Sequence, residues 1–369
     1  MNKEFPNTKF GKLVLAQPKS NIKAGEGKTK GIFPFFTSSP VQTKYLDKYI
    51  YQGPAIIFGT GGGASVHACE GPFATSTDCL VYYPASKNVY IKYLYRYLLG
   101  NIHILQRGFK GAGLQHISKT YIENLDIPFP NIKEQESIVE RLDKVQKLIA
   151  LQREQLKKLD DLIKSRFIDL FGDPISNPKK WEPISLDEIA DIRIGPFGSM
   201  LHCEDYIQDG YPLVNPSHIT NNQINIDPNF TVSKDKYNEL YQYHLAKGDV
   251  VMGRRGEMGR CAVVMSSNLL CGTGSLFIRP KEILLSEYIQ KVLSFPTFKR
   301  MIESKSVGQT MPNLNISIVS SFIIPLPPQH IRKLYVNFLN QIEKQKGLLI
   351  TRLTHLETLY KSLMQEYFG

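Results

Sequence analysis

Two glycine-rich stretches and one arginine pair are the residues of this chain whose types and spacing could do chemistry. "AGEGKTKG" (24–31) has the look of a phosphate loop, in which backbone N–H groups cradle phosphate oxygens ahead of a Lys-[Ser/Thr] pair. The glycine that such a loop needs five positions before Gly27 is Ile22, and no buried strand precedes it. The remaining readings are a flexible basic loop offering Lys23, Lys28 and Lys30 to phosphate oxygens, or plain solvated surface. "FGTGGGA" (58–64) fits G-x-G-x-x-A after an apolar run, yet no helical pattern follows, so it reads as a glycine loop between two strands. At the matching place further along, "GRRGEMG" (253–259) carries Arg254 and Arg255, with Arg260 beside it. Arginine pairs bidentately with guanine O6 and N7 or neutralises phosphates; the bland alternative is an ion pair with Glu257 or with other nearby acids. Thr60 and Gly61 stand where Arg254 and Arg255 stand, so the two stretches would not read the same bases.

Further candidates for nucleic-acid contact are Arg107, Lys110 and Gln115 in one half, and Lys305, Gln309 and Asn313 in the other. Amide side chains can read adenine edges, and they also satisfy loop backbone groups. His116 and His218 read as local hydrogen-bonding residues. A faint zinc signal, His67-x-Cys69 with Cys79 nearby, is outweighed by the reading of scattered thiols, since the five cysteines form no C-x-x-C pair. There is no H-E-x-x-H, no N-P-P-[YF] of an amino-methyltransferase, no helicase-type motif, and no Ser-His-Asp or paired-carboxylate arrangement. No catalytic residue, cofactor or metal is therefore expected. With 42% hydrophobic and 21% charged residues the composition is that of an ordinary globular protein, and the cysteine usage suits a reducing, cytoplasmic setting. No apolar run is long enough to span a bilayer and no secretory leader is visible, so no membrane association is expected. The formal charge of +11 is uneven: residues 1–130 hold fifteen basic against seven acidic residues, while 131–173 and 174–327 are each balanced. Such an excess suits a polyanionic partner.

The elements that must position these residues are set by an internal duplication. Residues 127–172 lie over 324–369 without a gap at an offset of 197, from "IPFP" over "IPLP" to a shared terminal Phe-Gly. Each copy is a strand, a proline join and a long helix. Asn131 with Glu134 forms a capping-box pattern at the start of the first, and Gly172 ends it. A 4-3-4-3 spacing runs through Ile138, Leu142, Val145, Ile149, Leu156, Leu159 and Ile163 in one helix. In the other it runs through Tyr335, Leu339, Ile342, Leu353, Leu356 and Tyr360. That is a heptad seam, and it predicts that the two helices pack on each other. Polar Gln152, Arg166 and Lys346 interrupt it, either to set register or as solvated edges. The expected organisation is a globular unit over 1–130, a helix over 131–173, a second unit over 174–327, and a helix over 328–369. The fold class is α/β (α+β), with two units of mixed sheet and short helices. The helices form an antiparallel coiled coil with pseudo-two-fold symmetry.

Two diverged units on two similar rods suit bipartite recognition, and duplex DNA offers fixed spacings of ~34 Å per turn. "GPFGSMLHCEDYIQDGYPLVNPSHI" (195–219), "KGDVVMGRRGEMGRCAVV" (247–264), "PNLNISIVSSFIIPLPP" (312–328) and the paired helices resemble the DNA-specificity subunit of type I restriction–modification systems, over essentially the whole chain. The resemblance implies two target recognition domains reading the halves of an asymmetric site in double-stranded DNA. It also implies a coiled-coil ruler, docking of two adenine-N6 methyltransferase subunits and a translocating restriction endonuclease subunit, and no catalysis by the chain itself. Two departures stand out. The first unit has "AQPKSNIKAGEGKTKG" where GPFGS belongs, and the second helix opens with "PPQHIRKL" where the first keeps Glu134-Gln135, which places weaker partner docking at that end. A coiled-coil adaptor whose units bind protein, and a nucleotide-binding enzyme using residues 25–29, are the alternatives.

Overall fold

The structure, a computed structural model, describes residues 5–197, 200–256, 259–305 and 313–369; Glu257 and Gln309 lie outside the described residues. The chain divides into two compact units, Met1–Gln155 with Leu348–Gly369, and Leu156–Gly347. Each unit takes half of each long helix. The expected boundaries near 130, 173 and 327 mark where elements change, not where the compact units divide.

In the first unit β1 (Asn7–Lys9) leads to β2 (Val14–Ala16), β3 (Phe33–Phe36), β4 (Ala55–Gly59), β5 (Ser65–Cys69), β6 (Pro72–Thr75) and β7 (Cys79–Pro84). One sheet has the order β2-β7-β4-β5, all antiparallel. β4 reads "AIIFG" and is buried throughout, the continuous apolar run of a strand covered on both faces. Helix α1 (Ile91–Gly100) buries Ile91, Tyr93, Leu94, Tyr97 and Leu98, and β7 and β4 contribute Tyr82, Ile56 and Phe58 to the same core. β3 runs parallel to β6 in a second sheet. The final strand β8 (Asp126–Pro128) pairs back on β1, and α2 (Ile132–Phe171) follows at once.

The second unit repeats this plan with β9 (Glu182–Ser185), β10 (Ala190–Ile194), β11 (Tyr211–Val214), β12 (Val250–Gly253), β13 (Cys261–Val263), β14 (Leu269–Cys271) and β15 (Ser275–Pro280). Its sheet order is β10-β15-β12-β13, and β11 runs parallel to β14. Helix α3 (Ser286–Ser294) stands where α1 stands. The last strand β16 (Ile323–Leu326) pairs on β9 before α4 (Gln329–Phe368). The fold is mixed α/β with two long helices.

Within each unit the helix halves pair antiparallel. In the first, Arg141 donates to the Tyr367 hydroxyl at 3.0 Å and Arg153 meets Glu357 at 2.6 Å. In the second, Lys346 meets Asp160 at 3.0 Å. The seam residues Leu142, Ile149, Ile163, Leu339 and Ile342 are buried, and Leu156, Leu159, Leu353, Leu356 and Tyr360 are half-buried. The polar interruptions differ in kind. Lys346 bonds across to the facing helix, a register contact, whereas Arg166 bonds to Asp169 on its own helix. Asn131 caps α2 by accepting the Glu134 N–H at 3.0 Å, and Gly172 takes φ +77°, the left-handed turn that ends a helix.

Each strand–proline join is locked by a buried tyrosine. The Tyr93 hydroxyl donates to the Pro128 carbonyl at 2.8 Å, and Tyr288 donates to the Pro325 carbonyl in the same way. Burial pushes both phenols above their ordinary pKa, so they remain donors. The faces of the same rings receive the helix ends. Phe368 packs edge-on against Tyr93 and Tyr97, and Phe171 against Tyr288 and Tyr335. The Phe-Gly that closes each copy of the duplication is a packing element of the core. Replacing Tyr288 by Phe leaves a buried carbonyl unpaired, which costs about 1–3 kcal/mol. Y288F is expected to lower the unfolding free energy measured in urea by that amount, through a lower midpoint with the slope unchanged, and Y93F to do the same.

Candidate nucleic-acid interface

In the first unit the loop between β4 and β5, residues 60–64, is built into a cluster. Thr60 N–H donates to the Asp78 carbonyl at 2.9 Å, and the Thr60 carbonyl accepts Ile117 N–H at 3.1 Å. Gly61 forms a bridge with His116, and Gly62 N–H donates to the Gln115 carbonyl. His116 belongs to a short hairpin in which it pairs with Lys110, while Gln106 accepts the Ala64 N–H through its side chain at 3.1 Å. The sequence candidates Thr60, Arg107, Lys110 and Gln115 are thereby brought to one place. Arg107 and Lys110 are exposed, and among the described residues neither pairs with a carboxylate. Thr60 is different, because its hydroxyl is already used on the Asp78 carbonyl at 3.0 Å.

The second unit holds its loop with corresponding bonds. Arg254 N–H donates to the Gly274 carbonyl at 3.0 Å, the Arg254 carbonyl accepts Leu314 N–H at 3.0 Å, and Arg255 bridges to Asn313. Arg254 itself is turned inward. It is 5% exposed, with Nε donating to the Thr273 carbonyl and its terminal amine to Asn313 Oδ1. Burial, and then the charge of Arg255, hold its pKa below the usual arginine value. It therefore stands as a brace between three loops, and the exposed charge of the pair is Arg255. Arg260 is half-buried next to β13, and Lys305 is exposed at a helix end, its ammonium 5.9 Å from the Phe322 ring.

The stretches that carried the family resemblance converge here for a steric reason. Gly195 N–H donates to the Ser275 carbonyl, and a Cβ on Gly195 would sit 2.1 Å from the Gly272 carbonyl oxygen. A Cβ on Gly272 would in turn sit 2.1 Å from Asn215 Oδ1. Backbones at this separation admit only glycine. Phe197 lies two residues beyond Gly195 and is exposed.

The lysine loop is peripheral to these clusters. Thr77 N–H donates to the Ile22 carbonyl, which puts Lys23 beside the Asp78 corner. Lys28 and Lys30 lie further along, where Lys28 pairs with strand residue Tyr45. Lys28 is tied to Asp47 at 2.8 Å and, through that hydrogen bond, holds the Asp47 carboxyl below its ordinary range. Both groups are solvent-exposed, so a phosphate could replace the carboxylate at little cost. Lys30 is exposed and makes no ion pair among the described residues. The zinc signal dissolves into ordinary bonds: His67 Nε2 donates to the Ser39 carbonyl, and Cys79 lies near the Phe36 carbonyl with its pKa pushed up to about 11 by burial. Among the described residues no group of three or more His, Cys, Asp or Glu side chains could hold a metal, and no helix is long and apolar enough to cross a membrane.

In the Glu134-Gln135 pair, which the sequence singled out at the first join, the glutamine is an internal staple. Gln135 is 0% exposed, donates to the Asn88 and Pro130 carbonyls, and accepts Tyr90 N–H. At the matching position Arg332 is 6% exposed, donates to the Pro327 carbonyl at 3.1 Å and reaches Glu282 at 3.2 Å. The second join has exchanged one staple for another. Sequence reasoning missed this because the offset of 197 pairs Gln135 with an arginine, and only the bond to the preceding proline carbonyl is shared.

Substitution at the glycine contact separates it from open loop glycines. G195A forces a Cβ onto backbone and is expected to destabilise the second unit by about 1–3 kcal/mol. G63A, where nothing lies within 4 Å of the added carbon, is expected to be neutral, both read by thermal unfolding.

Comparison with known proteins places this arrangement. The family model described as the type I restriction modification DNA specificity domain matches residues 4–161 and 178–358, a stretch in each half of the duplication. The type I restriction enzyme MjaVIII specificity subunit of Methanocaldococcus jannaschii is 22% identical over 291 residues, 74% of this chain and 68% of that one. The EcoBI specificity subunit of Escherichia coli is 19% identical over 298 residues, 72% of this chain and 63% of its own length. Among solved structures, the type I restriction–modification S subunit from M. genitalium superposes with a TM-score of 0.66 at 16% identity, covering 100% of this chain and 98% of that one, which speaks for the fold. With the family model matching both halves, the chain belongs to the type I restriction modification DNA specificity family.

Proposed function

We propose that the chain reads the two halves of an asymmetric, bipartite site in double-stranded DNA, one half with each loop cluster, and brings recognition rather than catalysis to a type I restriction–modification complex. The observation that carries this reading is the shared clamp with unshared chemistry. Corresponding backbone bonds hold Thr60-Gly61 against 116–117 and Arg254-Arg255 against 313–314. The side chains presented differ: Arg107, Lys110 and Gln115 on one, Arg255 on the other. A conserved frame with different groups at its rim is what two different half-sites require.

The long helices are the natural spacer. Each has 40 residues, about 60 Å at ~1.5 Å per residue, enough to span more than one turn of duplex. Their exposed faces would dock two adenine-N6 methyltransferase subunits, with the translocating restriction subunit joining that assembly in the cytoplasm. Gln135 and Arg332 supply buried bonds at the joins, so both joins are equally braced to present those faces.

Comparing adenine methylation in host genomes with and without this gene tests the reading directly. One gapped, asymmetric motif is expected to lose N6-methyladenine on deletion; unchanged methylation in an otherwise active system would refute it. In the purified complex, R255A is expected to weaken DNA binding and to lower the salt-dependence slope by about one if the guanidinium neutralises one phosphate.

A further inference from the structure

Leu114 is the most exposed large apolar side chain among the described residues, at 81%. It stands at the tip of the hairpin formed by Phe109–Lys110 and His116–Ile117. We infer that Leu114 is a wedge that enters the base stack of the half-site bound by the first unit. The inference rests on the DNA-reading function proposed above and adds a residue and a mode of recognition to it.

The hairpin is anchored at its base rather than loosely attached. Gly111 takes φ +137°, and a Cβ there would lie 2.7 Å from the Leu114 carbonyl, so the turn closes tightly on the residue it presents. The next residue, Gln115, accepts Gly62 N–H at 3.1 Å, and His116 donates to the Thr60 carbonyl. The tip is thus bound to the loop cluster on its inner side and exposed at Leu114. The chain leading into it is cationic, with Lys110 four residues before the leucine and Arg107 just ahead of the hairpin. Cations beside a projecting apolar group suit the surroundings of a base step, where phosphates lie next to the bases and leucine is among the side chains that partly unstack a duplex. A protein partner would instead be expected to meet the leucine with an apolar pocket and the cations with carboxylates. The wedge supplies sequence preference through deformability, since pyrimidine–purine steps open more easily than others. The first unit can then discriminate with few base-edge donors.

The test uses the assembled methyltransferase complex and duplexes carrying the methylated motif, with 2-aminopurine placed in turn at each position of the first half-site except the methylated adenine. With the wild-type complex, fluorescence is expected to rise severalfold at one step. L114A is expected to abolish that rise and to weaken specific binding by about tenfold, the factor that burial of one leucine side chain can supply, with the salt slope unchanged. L114F is expected to keep the signal, since phenylalanine also serves as a wedge. Specific binding with no fluorescence change at any step, or an L114A complex that matches wild type, would overturn the wedge and leave the recognition function standing. Loss of methyltransferase co-purification in L114A with the fluorescence rise intact would overturn it in favour of a protein contact. Absence of any site-specific binding would overturn the recognition function, and the wedge with it.

Discussion

The bond on which the rest depends joins a buried tyrosine to the carbonyl of a join proline. Tyr93 holds Pro128 and Tyr288 holds Pro325. In that position each phenol fixes the angle at which a strand hands over to a 40-residue helix, and any slack there would be multiplied along the helix. The same ring then serves as the seat for a helix end that arrives from the other copy of the duplication. Phe368 closes on Tyr93, and Phe171 closes on Tyr288. Neither copy supplies both halves of its own lock. This reciprocity explains why the prolines, the tyrosines and the terminal Phe-Gly survive in both copies while most of the globular sequence has diverged.

The helical part of this design was legible in the sequence because it is written in spacing. Seam residues recur at 4-3-4-3 intervals, and Leu142, Ile149 and Leu339 are buried where that interval puts them. A helix obliges residues three and four apart to share a face, so pattern and burial are the same fact. The division into compact units was not legible, because it depends on which helix half packs against which sheet. The antiparallel pairing of Arg153 with Glu357 and Lys346 with Asp160 settles that through contacts some two hundred residues apart.

The loop clusters were legible as places and opaque as chemistry. Thr60, Gly61, Arg254 and Arg255 were picked out by alignment of the two halves and Asn313 by its amide, and the bridges Gly61–His116 and Arg255–Asn313 bring each set together. Whether a given side chain faces solvent cannot be read from residue type. Arg254 and Arg255 are identical neighbours, yet extended backbone sends successive side chains to opposite faces, and only Arg255 is exposed. Among the described residues, the guanidinium of Arg254 bonds a backbone carbonyl and an amide oxygen rather than a carboxylate, so an arginine in this loop serves the protein's own structure.

The two units also solve one problem in two ways. The second packs glycine on glycine, Gly195 against Gly272, and so brings separate loops to backbone contact at a single point. In the first, the loop takes, besides the bonds shared by both units, one from the hairpin at Gly62 and one from the Gln106 side chain at Ala64. Backbone–backbone packing tolerates no side chain at the contact but leaves the flanking residues unconstrained. A hairpin held at its base fixes its own strands and leaves its tip free to vary. Change in the second unit is therefore channelled into residues beside the glycines, such as Arg255 and Phe197, and in the first into the tip and flanks of the hairpin. A duplicated frame that shares its loop clamp but adds a glycine contact in one unit and a side-chain brace in the other would lead its two halves to diverge in different kinds of contact, even from a common starting sequence.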